Sequence, residues 1–132
     1  MQSRTDQRLR IGRLGERLAA QRLERAGFTV LERNYRTRAG ELDLVARRRG
    51  VLVFCEVKTV VARANASARG PAYALEAVGT AKRVQVRKIA RSWLTERSSL
   101  ARGCPNVRFD AIGITLSTKG EVLSVEHVEN AF

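Results

Sequence analysis

The stretch from Gly40 to Lys58 constrains the chain most, because it places carboxylates and a lysine on a predicted β-hairpin. Its first strand, Glu41 to Arg47, alternates apolar and polar residues, whereas its second, Val51 to Lys58, is apolar on both faces until its end. Gly50 ends the short turn between them, where glycine readily takes a positive φ. We therefore expect the charged ends of the two strands to lie side by side.

The length of the turn decides which of these residues face one another. With residues 48 and 49 as the loop, Asp43 is opposite Phe54 and Glu41 is opposite Glu56. Asp43 is then a diagonal neighbour of Glu56 on the same face, within reach of its side chain. A register shift of one residue would carry Asp43 to the other face of the sheet, so the prediction depends on loop length.

Two carboxylates at the end of an apolar strand are costly unless they share a cation. Mg²⁺ binds oxygen ligands and is usually held by one or two carboxylates together with waters and phosphate oxygens. Asp43 and Glu56 are therefore candidate metal ligands, and Lys58 is placed to offset charge on a phosphate or to position an attacking water. The alternative is an edge hairpin whose charged side chains are simply solvated.

The composition favours a polyanionic partner. Lysine and arginine total 25 against 13 acidic residues, a formal net charge of +12 in 132 residues, which is typical of proteins that bind nucleic acid or an anionic membrane surface. No apolar run is long enough to span a bilayer, and the first ten residues lack the apolar core of a signal peptide. We expect one domain over residues 1–132, located in the cytoplasm, where Cys55 and Cys104 would be free thiols.

Helical and strand patterns alternate along the chain, which predicts an α/β fold with helices against a central mixed sheet. Besides the hairpin, we predict helices over residues 5–26 and 80–97, with Thr80 as an N-cap, a helical turn over residues 73–78, and strands over residues 28–33, 107–115 and 121–128. The loops fall at residues 34–40, 59–72 and 98–105. The loop at 59–72 adjoins the hairpin, and it is either a cover for a substrate or a passive connection.

Glu16 lies within an apolar stripe of the first predicted helix. The stripe consists of Leu9, Ala19, Ala20 and Leu23. A glutamate on such a stripe needs a partner: either an arginine pairs with it, or the helix packs on the sheet and directs it to the hairpin carboxylates. Gly12 and Gly15 would allow the backbone or a ligand to approach that side of the helix.

Two basic segments are candidates for phosphate contacts. Arg36 and Arg38 lie in the loop before the hairpin, and the second predicted helix carries a basic stripe in which arginines recur every four residues with lysines beside them. The stripe comprises Lys82, Arg83, Arg87 and Arg91. A solvated surface is the alternative in both cases.

Asp110 and His127 are the remaining residues with catalytic chemistry. Asp110 alternates with apolar residues in a predicted strand, where an ion pair with Arg108 is a simpler role than a supporting carboxylate near the site. His127 is the single histidine, and its place near the end of the chain favours a structural role.

Taken in order, the motifs resemble the YraN family of uncharacterised bacterial proteins across nearly the whole chain. They are Gly12-Arg-Leu-Gly-Glu16, Arg33-Asn-Tyr-Arg36, Gly40-Glu-Leu-Asp-Leu-Val45, Phe54-Cys-Glu-Val-Lys58, the Ala77-Val78 and Lys82-Arg83 pairs, Arg108-Phe-Asp110 and the terminal Ala-Phe. That family resembles the restriction-endonuclease-like nucleases with a PD-(D/E)xK site, and among them the archaeal Holliday-junction resolvases. One departure is Val60, where many relatives have an arginine.

The resemblance implies a three-layer α/β/α fold and a Mg²⁺ or Mn²⁺ site. It implies Asp43 and Glu56 as metal ligands, Lys58 as the catalytic lysine, and Glu16 as the helix glutamate that completes the site, with Glu41 as a possible accessory residue. The expected function is a metal-dependent endonuclease acting on DNA, with branched and single-stranded forms as candidate substrates. The alternative is a non-catalytic nucleic-acid-binding module on the same scaffold. A homodimer is compatible with either function.

Overall fold

The structure is a computed structural model that describes residues 3–62 and 79–132. The predicted turn at 73–78 and most of the predicted loop at 59–72 lie outside these ranges. The elements are α1 (Arg4–Arg25), β1 (Thr29–Thr37), β2 (Gly40–Arg48), β3 (Val51–Val61), α2 (Thr80–Glu96), a 3₁₀-helix (Ser98–Ala101), β4 (Asn106–Leu116) and β5 (Val122–Val128).

The strands form one five-stranded sheet in the order β1-β2-β3-β4-β5. β3 and β4 are parallel, and the other neighbouring strands are antiparallel, so the predicted α/β class with a mixed sheet is confirmed. The side chains of β3 alternate between two apolar clusters: Val53 and Cys55 pack with α1, whereas Leu52 and Phe54 pack with α2. The helices therefore cover opposite faces of the sheet, as in a restriction-endonuclease-like fold.

Both helices pack through apolar faces with a period near 3.6. α2 buries Val86, Ile89, Ala90 and Trp93, as predicted. α1 buries Ala19, Ala20 and Leu23, but Leu9, which was predicted to share this stripe, is 54% exposed because α1 extends past the sheet there. Within the described residues, neither helix is long and apolar enough to cross a membrane.

β1 is longer than predicted. Residues 34–37, expected in a basic loop, continue the strand and pair with the start of β2, as in the pairs Tyr35–Leu42 and Arg36–Glu41. The ring of Tyr35 is buried on the α2 side. Pairing and burial of this kind involve residues distant in sequence, and here they outweigh the loop-like local composition.

The hairpin register differs from the predicted one by two residues. Arg48 pairs with Val51, Val45 with Phe54 and Leu44 with Cys55, so the two-residue loop is Arg49–Gly50, and both loop residues have positive φ. Such a loop is a tight turn whose twist suits antiparallel strands. A shift of two residues keeps every side chain on its predicted face, which is why the predicted proximity of Asp43 and Glu56 does not depend on this error.

The first strand of the hairpin is irregular near Asp43. Leu44 packs on the α1 side, as predicted, but Leu42 packs on the α2 side, so the predicted shared face of these leucines is wrong. Across β1, Asn34 has a φ of 53°, which interrupts the regular pleat at this level. The irregularity lets Glu41 lie on the α1 side of the sheet.

α1 meets β3 through a glycine. A Cβ built on Gly15 would lie 1.8 Å from Thr59 Oγ1 and 3.0 Å from Thr59 Cβ, whereas one built on Gly12 would meet no atom of residues 3–62 and 79–132 within 4 Å. Gly15 thus permits the close approach predicted from the sequence, and Gly12 has no such packing role.

Asp110 is fully buried and accepts hydrogen bonds from several directions. Arg108 Nε and Nη2 lie 2.8 and 2.9 Å from its oxygens, His127 Nε2 lies 2.6 Å away, and the Asn130 backbone N–H donates at 3.0 Å. The predicted ion pair with Arg108 is confirmed, and His127 joins the same network. Because Asn130 follows β5, the network ties the end of the chain to β4.

We expect Gly15→Ala to destabilise the protein by about 1–3 kcal/mol, since Thr59 or α1 must move to admit the methyl group. Gly12→Ala is the matched control in the same helix, and it should be neutral or stabilising by about 0.5–1 kcal/mol because only backbone entropy changes. Urea unfolding of both variants tests this. Equal effects of the two substitutions would contradict the proposed packing role of Gly15.

We expect Asp110→Asn to cost about 3–5 kcal/mol at pH 7, because it leaves a buried arginine without its counter-charge. Burial raises the pKa of Asp110, but the bonds from His127 and Arg108 outweigh it and hold the pKa below its ordinary value of 3.8. The stabilisation is therefore present above pH 4 and lost as the pH falls through the lowered pKa.

The difference between wild type and Asp110→Asn should accordingly narrow in denaturant titrations below pH 4. The control is Glu129→Gln, since Glu129 contacts the same Arg108 at 3.6 Å but is 59% exposed; it should cost less than about 1 kcal/mol. A constant difference from pH 7 to pH 2 would refute the assignment.

Candidate functional site

β2 and β3 separate at the level of Asp43. Their last backbone pair is Leu44–Cys55, and beyond it Asp43 Oδ2 accepts a hydrogen bond of 2.8 Å from the Val57 backbone N–H. The Asp43 carboxylate thus satisfies a β3 donor that strand pairing no longer reaches. This bond fixes the orientation of the carboxylate between the two strands.

Three carboxylates converge at this point. Oxygen atoms of Glu16, Glu41 and Asp43 all lie within 4.8 Å of one another, and each side chain is half-buried. Glu16 comes from α1, where Gly15 brings the helix close to β3. Of the two roles considered for Glu16, the structure supports the one in which α1 directs it to the hairpin carboxylates.

Glu56 lies beside Asp43, although it is outside the 4.8 Å group. Its side chain is 13% exposed, and Oε1 accepts an ion-pair contact of 3.0 Å from Lys82 Nζ. Its other oxygen, Oε2, is buried without a hydrogen-bond partner among the described residues. A buried carboxylate oxygen without a donor is costly, and a cation is one group that would satisfy it.

Burial, and to a smaller extent the proximity of the other carboxylates, shifts the pKa values of these acids upward. Burial, and next the negative charge of Glu56, raise the pKa of Asp43 to about 7. Burial also raises the pKa of Glu56, and Lys82 opposes that rise. For Glu16, burial raises the pKa, the Asn34 side chain opposes it, and the charge of Glu41 adds to it. Without a cation, then, the cluster is strained by the repulsion of like charges.

Lys58 follows Glu56 on β3 and is exposed. It lines a cavity together with Glu16, and within the described part of the chain it forms no ion pair of 4.0 Å or less with a carboxylate. Its ammonium is therefore not neutralised by the described acids, and its role at the cluster stays a prediction.

The predicted phosphate-binding residues have different surroundings. Arg36 contacts Glu41 at 3.4 Å and is 80% exposed, and Arg38, Arg83 and Arg91 are exposed. Arg87 Nη2 donates to the Phe132 carbonyl at 3.2 Å, and its guanidinium lies over the Phe109 ring. The stripe on α2 is therefore partly engaged within the protein, and Lys82 turns to the acid cluster.

Lys82 was predicted to contact phosphates and was not predicted to pair with an acid of the candidate site. A signal was present, because Lys82 precedes the buried Val86 and Ile89 by four and seven residues, which puts it on the sheet-facing side of α2. Asn34 was also missed. It was assigned to a loop, and its contact with Glu16 depends on β1 continuing past residue 33.

The donor set fits a hard divalent cation. Glu16, Glu41, Asp43 and Glu56 offer only carboxylate oxygens, the ligands preferred by Mg²⁺ and Mn²⁺. The partnerless Glu56 Oε2 and the raised pKa of Asp43 are both features that a bound cation would relieve. The predicted pair Asp43 and Glu56 is thus extended by two further candidate ligands.

The chain is similar to proteins from diverse bacteria, each named UPF0102 protein. The relative from Acidothermus cellulolyticus is 41% identical over 131 residues, covering 92% of each chain. The relative from Syntrophotalea carbinolica is 45% identical over 128 residues, covering 97% of this chain and 95% of the relative. A relative from Streptomyces griseus is 42% identical over 112 residues, covering 83% of this chain and 86% of the relative.

A family model described as "Uncharacterised protein family UPF0102" matches residues 15–114. The matched span begins one residue before Glu16 and includes β2, β3 and α2, which carry the other residues of the candidate site. The match confirms the resemblance to an uncharacterised bacterial family that the motifs indicated. The chain belongs to the uncharacterised protein family UPF0102.

Proposed function

We propose that the protein is a metal-dependent endonuclease that hydrolyses phosphodiester bonds in DNA. The observation that carries the proposal is the convergence of Glu16, Glu41 and Asp43 within 4.8 Å at the point where β2 and β3 separate, with Glu56 alongside. Stability alone does not favour three converging acids beside a fourth, Glu56, whose buried Oε2 has no hydrogen-bond partner among the described residues. The net charge of +12 supports a polyanionic substrate.

Glu16, Glu41, Asp43 and Glu56 are the residues that would hold Mg²⁺ or Mn²⁺. Such a cation supplies Lewis-acid stabilisation of the charge that develops on a phosphoryl oxygen. The donors come from α1, β2 and β3, and these elements are packed together through the Gly15–Thr59 contact and the hairpin. The site is therefore preorganised by the fold rather than by a mobile loop.

The chain's own cations complete the proposed site. Lys58 is exposed at the edge of the cluster, where its ammonium can approach a phosphate oxygen and stabilise negative charge there. Lys82 Nζ lies 3.0 Å from Glu56 Oε1, which orients that carboxylate and opposes the rise that burial causes in its pKa. Arg36, Arg38, Arg83 and Arg91 are exposed and available for contacts with the flanking phosphates.

One observation favours the alternative function, a nucleic-acid-binding module without catalysis. The Lys82–Glu56 ion pair already supplies a positive charge to the cluster, as expected of a scaffold that dispenses with a metal. The alternatives differ in what a divalent cation does to the protein. An enzyme should be stabilised by Mn²⁺ through Asp43 and Glu56, whereas the module should bind DNA in the same way in chelator.

We expect Asp43→Asn to raise the stability of the metal-free protein at pH 8 by about 1–2 kcal/mol, because it removes one of the repelling charges and keeps an acceptor for Val57. The pKa of Asp43 is about 7 in the folded protein, above its ordinary value of 3.8. Wild type therefore loses stability relative to the variant as the pH rises from the ordinary value to the folded value. The advantage of the variant should grow between pH 5 and pH 8 in thermal melts with EDTA.

Mn²⁺ should reverse this order by stabilising wild type and not Asp43→Asn. Glu121→Gln, which removes an exposed carboxylate before β5, is the control and should behave as wild type throughout. The metal site would be rejected if Mn²⁺ stabilised wild type and Asp43→Asn equally. The catalytically inactive module would be favoured if Mn²⁺ stabilised neither.

We expect purified protein to cleave at least one member of a panel of labelled DNA structures in Mg²⁺ or Mn²⁺. Asp43→Ala should abolish cleavage, and Lys58→Ala should lower the rate by about 10²-fold or more. Arg102→Ala is the control, since Arg102 is exposed in the loop before β4, at the opposite end of the sheet from the site. Equal rates for wild type and Lys58→Ala would show that Lys58 is not catalytic, and equal rates for wild type and Asp43→Ala would show that the assigned site does not make the cuts.

A further inference from the structure

Two adjoining cavities run along the N-terminal half of α1. The first, of about 510 Å³, lies against the end of β3 and is lined by Arg8, Gly12, Glu16 and Lys58 among others. The second, of about 570 Å³, lies against the β4–β5 turn and includes Arg10 and Lys119. Ile11 and Val61 line both cavities, so the two lie side by side; the pair is here called the α1 groove, and Glu16 of the acid cluster lines one of its ends.

The α1 groove has the charge expected of a path for phosphates. Among the described residues that line it, Glu16 is the only acidic one, and it lies at the end where the acid cluster begins. The basic lining residues are Arg8, Arg10, Lys58 and Lys119, and Arg4 adjoins Arg8 in a neighbouring depression. A phosphate chain in the groove would therefore be attracted along its length and would reach the acids at one end.

The α1 groove also has apolar side chains in its lining, and these favour an unpaired strand over a duplex. Ile11, Leu14, Val61 and Leu116 line it, and Val61 is 38% exposed. A duplex presents phosphates and sugars to a groove of this kind and keeps its base faces stacked inside. An unpaired strand presents both phosphates and apolar base faces, and proteins that bind single strands combine basic and apolar contacts.

Gly12 is the residue that keeps the α1 groove open. A Cβ at this position would meet no atom of the described part of the chain within 4 Å, so packing against those residues does not require a glycine here. A glycine in the middle of a helix nevertheless costs about 0.5–1 kcal/mol relative to alanine. Because Gly12 lies one helical turn before Glu16, a larger side chain would project back towards Arg8 and into the groove.

From the charge, the apolar lining and Gly12, we infer that the α1 groove binds a single strand of nucleic acid and leads it to the acid cluster. This inference rests on the proposed function, and it names the form of substrate that the same site receives. Arg8 and Lys119 contact phosphates, the aliphatic residues contact sugars and bases, and Gly12 admits the strand beside Glu16.

The test is the binding of fluorescein-labelled oligothymidine and of a blunt duplex, measured by anisotropy in EDTA. Wild type should bind the oligothymidine more tightly than the blunt duplex. Gly12→Leu should weaken that binding by about 10-fold or more while the thermal unfolding temperature stays within a few degrees of wild type. Gln21→Leu, which adds the same side chain to an exposed position of α1 outside the groove, should bind as wild type.

Two further variants keep the test decisive if Gly12→Leu fails to fold. Arg8→Gln and Lys119→Gln should each reduce the slope of log K against log salt concentration by about 0.7, as expected for the loss of one phosphate contact on a single strand. Unchanged slopes, unchanged binding by a folded Gly12→Leu, or a preference of wild type for the duplex would overturn the inference.

Cleavage assays run in parallel separate this inference from the proposed function. If wild type cleaves DNA and Gly12→Leu binds and cleaves equally well, the inference that the α1 groove binds the strand is refuted, whereas the proposed endonuclease activity is supported. If wild type binds the single strand in a Gly12-dependent manner but cleaves nothing with Mg²⁺ or Mn²⁺, binding in the α1 groove is supported and the proposed endonuclease activity is refuted. If wild type binds neither oligonucleotide, the groove is wrong.

Discussion

Repulsion among four carboxylates is the constraint to which the rest of the structure responds. Glu16, Glu41 and Asp43 meet within 4.8 Å, and Glu56 adjoins them. In a structure selected only for stability such a group would be dispersed, because burial and like charge both disfavour ionisation. Its retention in a well-packed part of the fold indicates a function that requires it, since strained groups of this kind concentrate at functional sites.

The fold holds the cluster together with interactions from three layers. The Val57 N–H anchors Asp43 within the sheet, Lys82 reaches Glu56 from α2, and Gly15 lets α1 approach β3 closely enough to place Glu16. None of these interactions neutralises the whole cluster, so an unsatisfied oxygen and a raised pKa remain. The basic residues Arg36, Arg38 and Lys58 are more exposed than the acids of the cluster.

Sequence patterns predicted what depends on local periodicity. The two faces of β3 and the buried side of α2 follow from periods of two and 3.6, and the proximity of Asp43 to Glu56 survived a register error of two residues because side chains keep their face under such a shift. What could not be predicted depends on partners distant in sequence. The strand at residues 34–37 exists because β2 pairs with it, and the contact between Asn34 and Glu16 depends on that extension of β1.

The glycine contact between α1 and β3 divides the helix into two parts with different tolerance to changes in length. From Gly15 onwards, the buried residues of α1 fix the rotation of the helix on the sheet. Inserting one residue between Glu16 and Ala19 would therefore rotate Glu16 by about 100° about the helix axis relative to the buried alanines. Before Gly15, insertions or deletions would lengthen or shorten the helix without moving Glu16. The length of α1 before Gly15 can therefore differ among relatives without a change in the acid cluster.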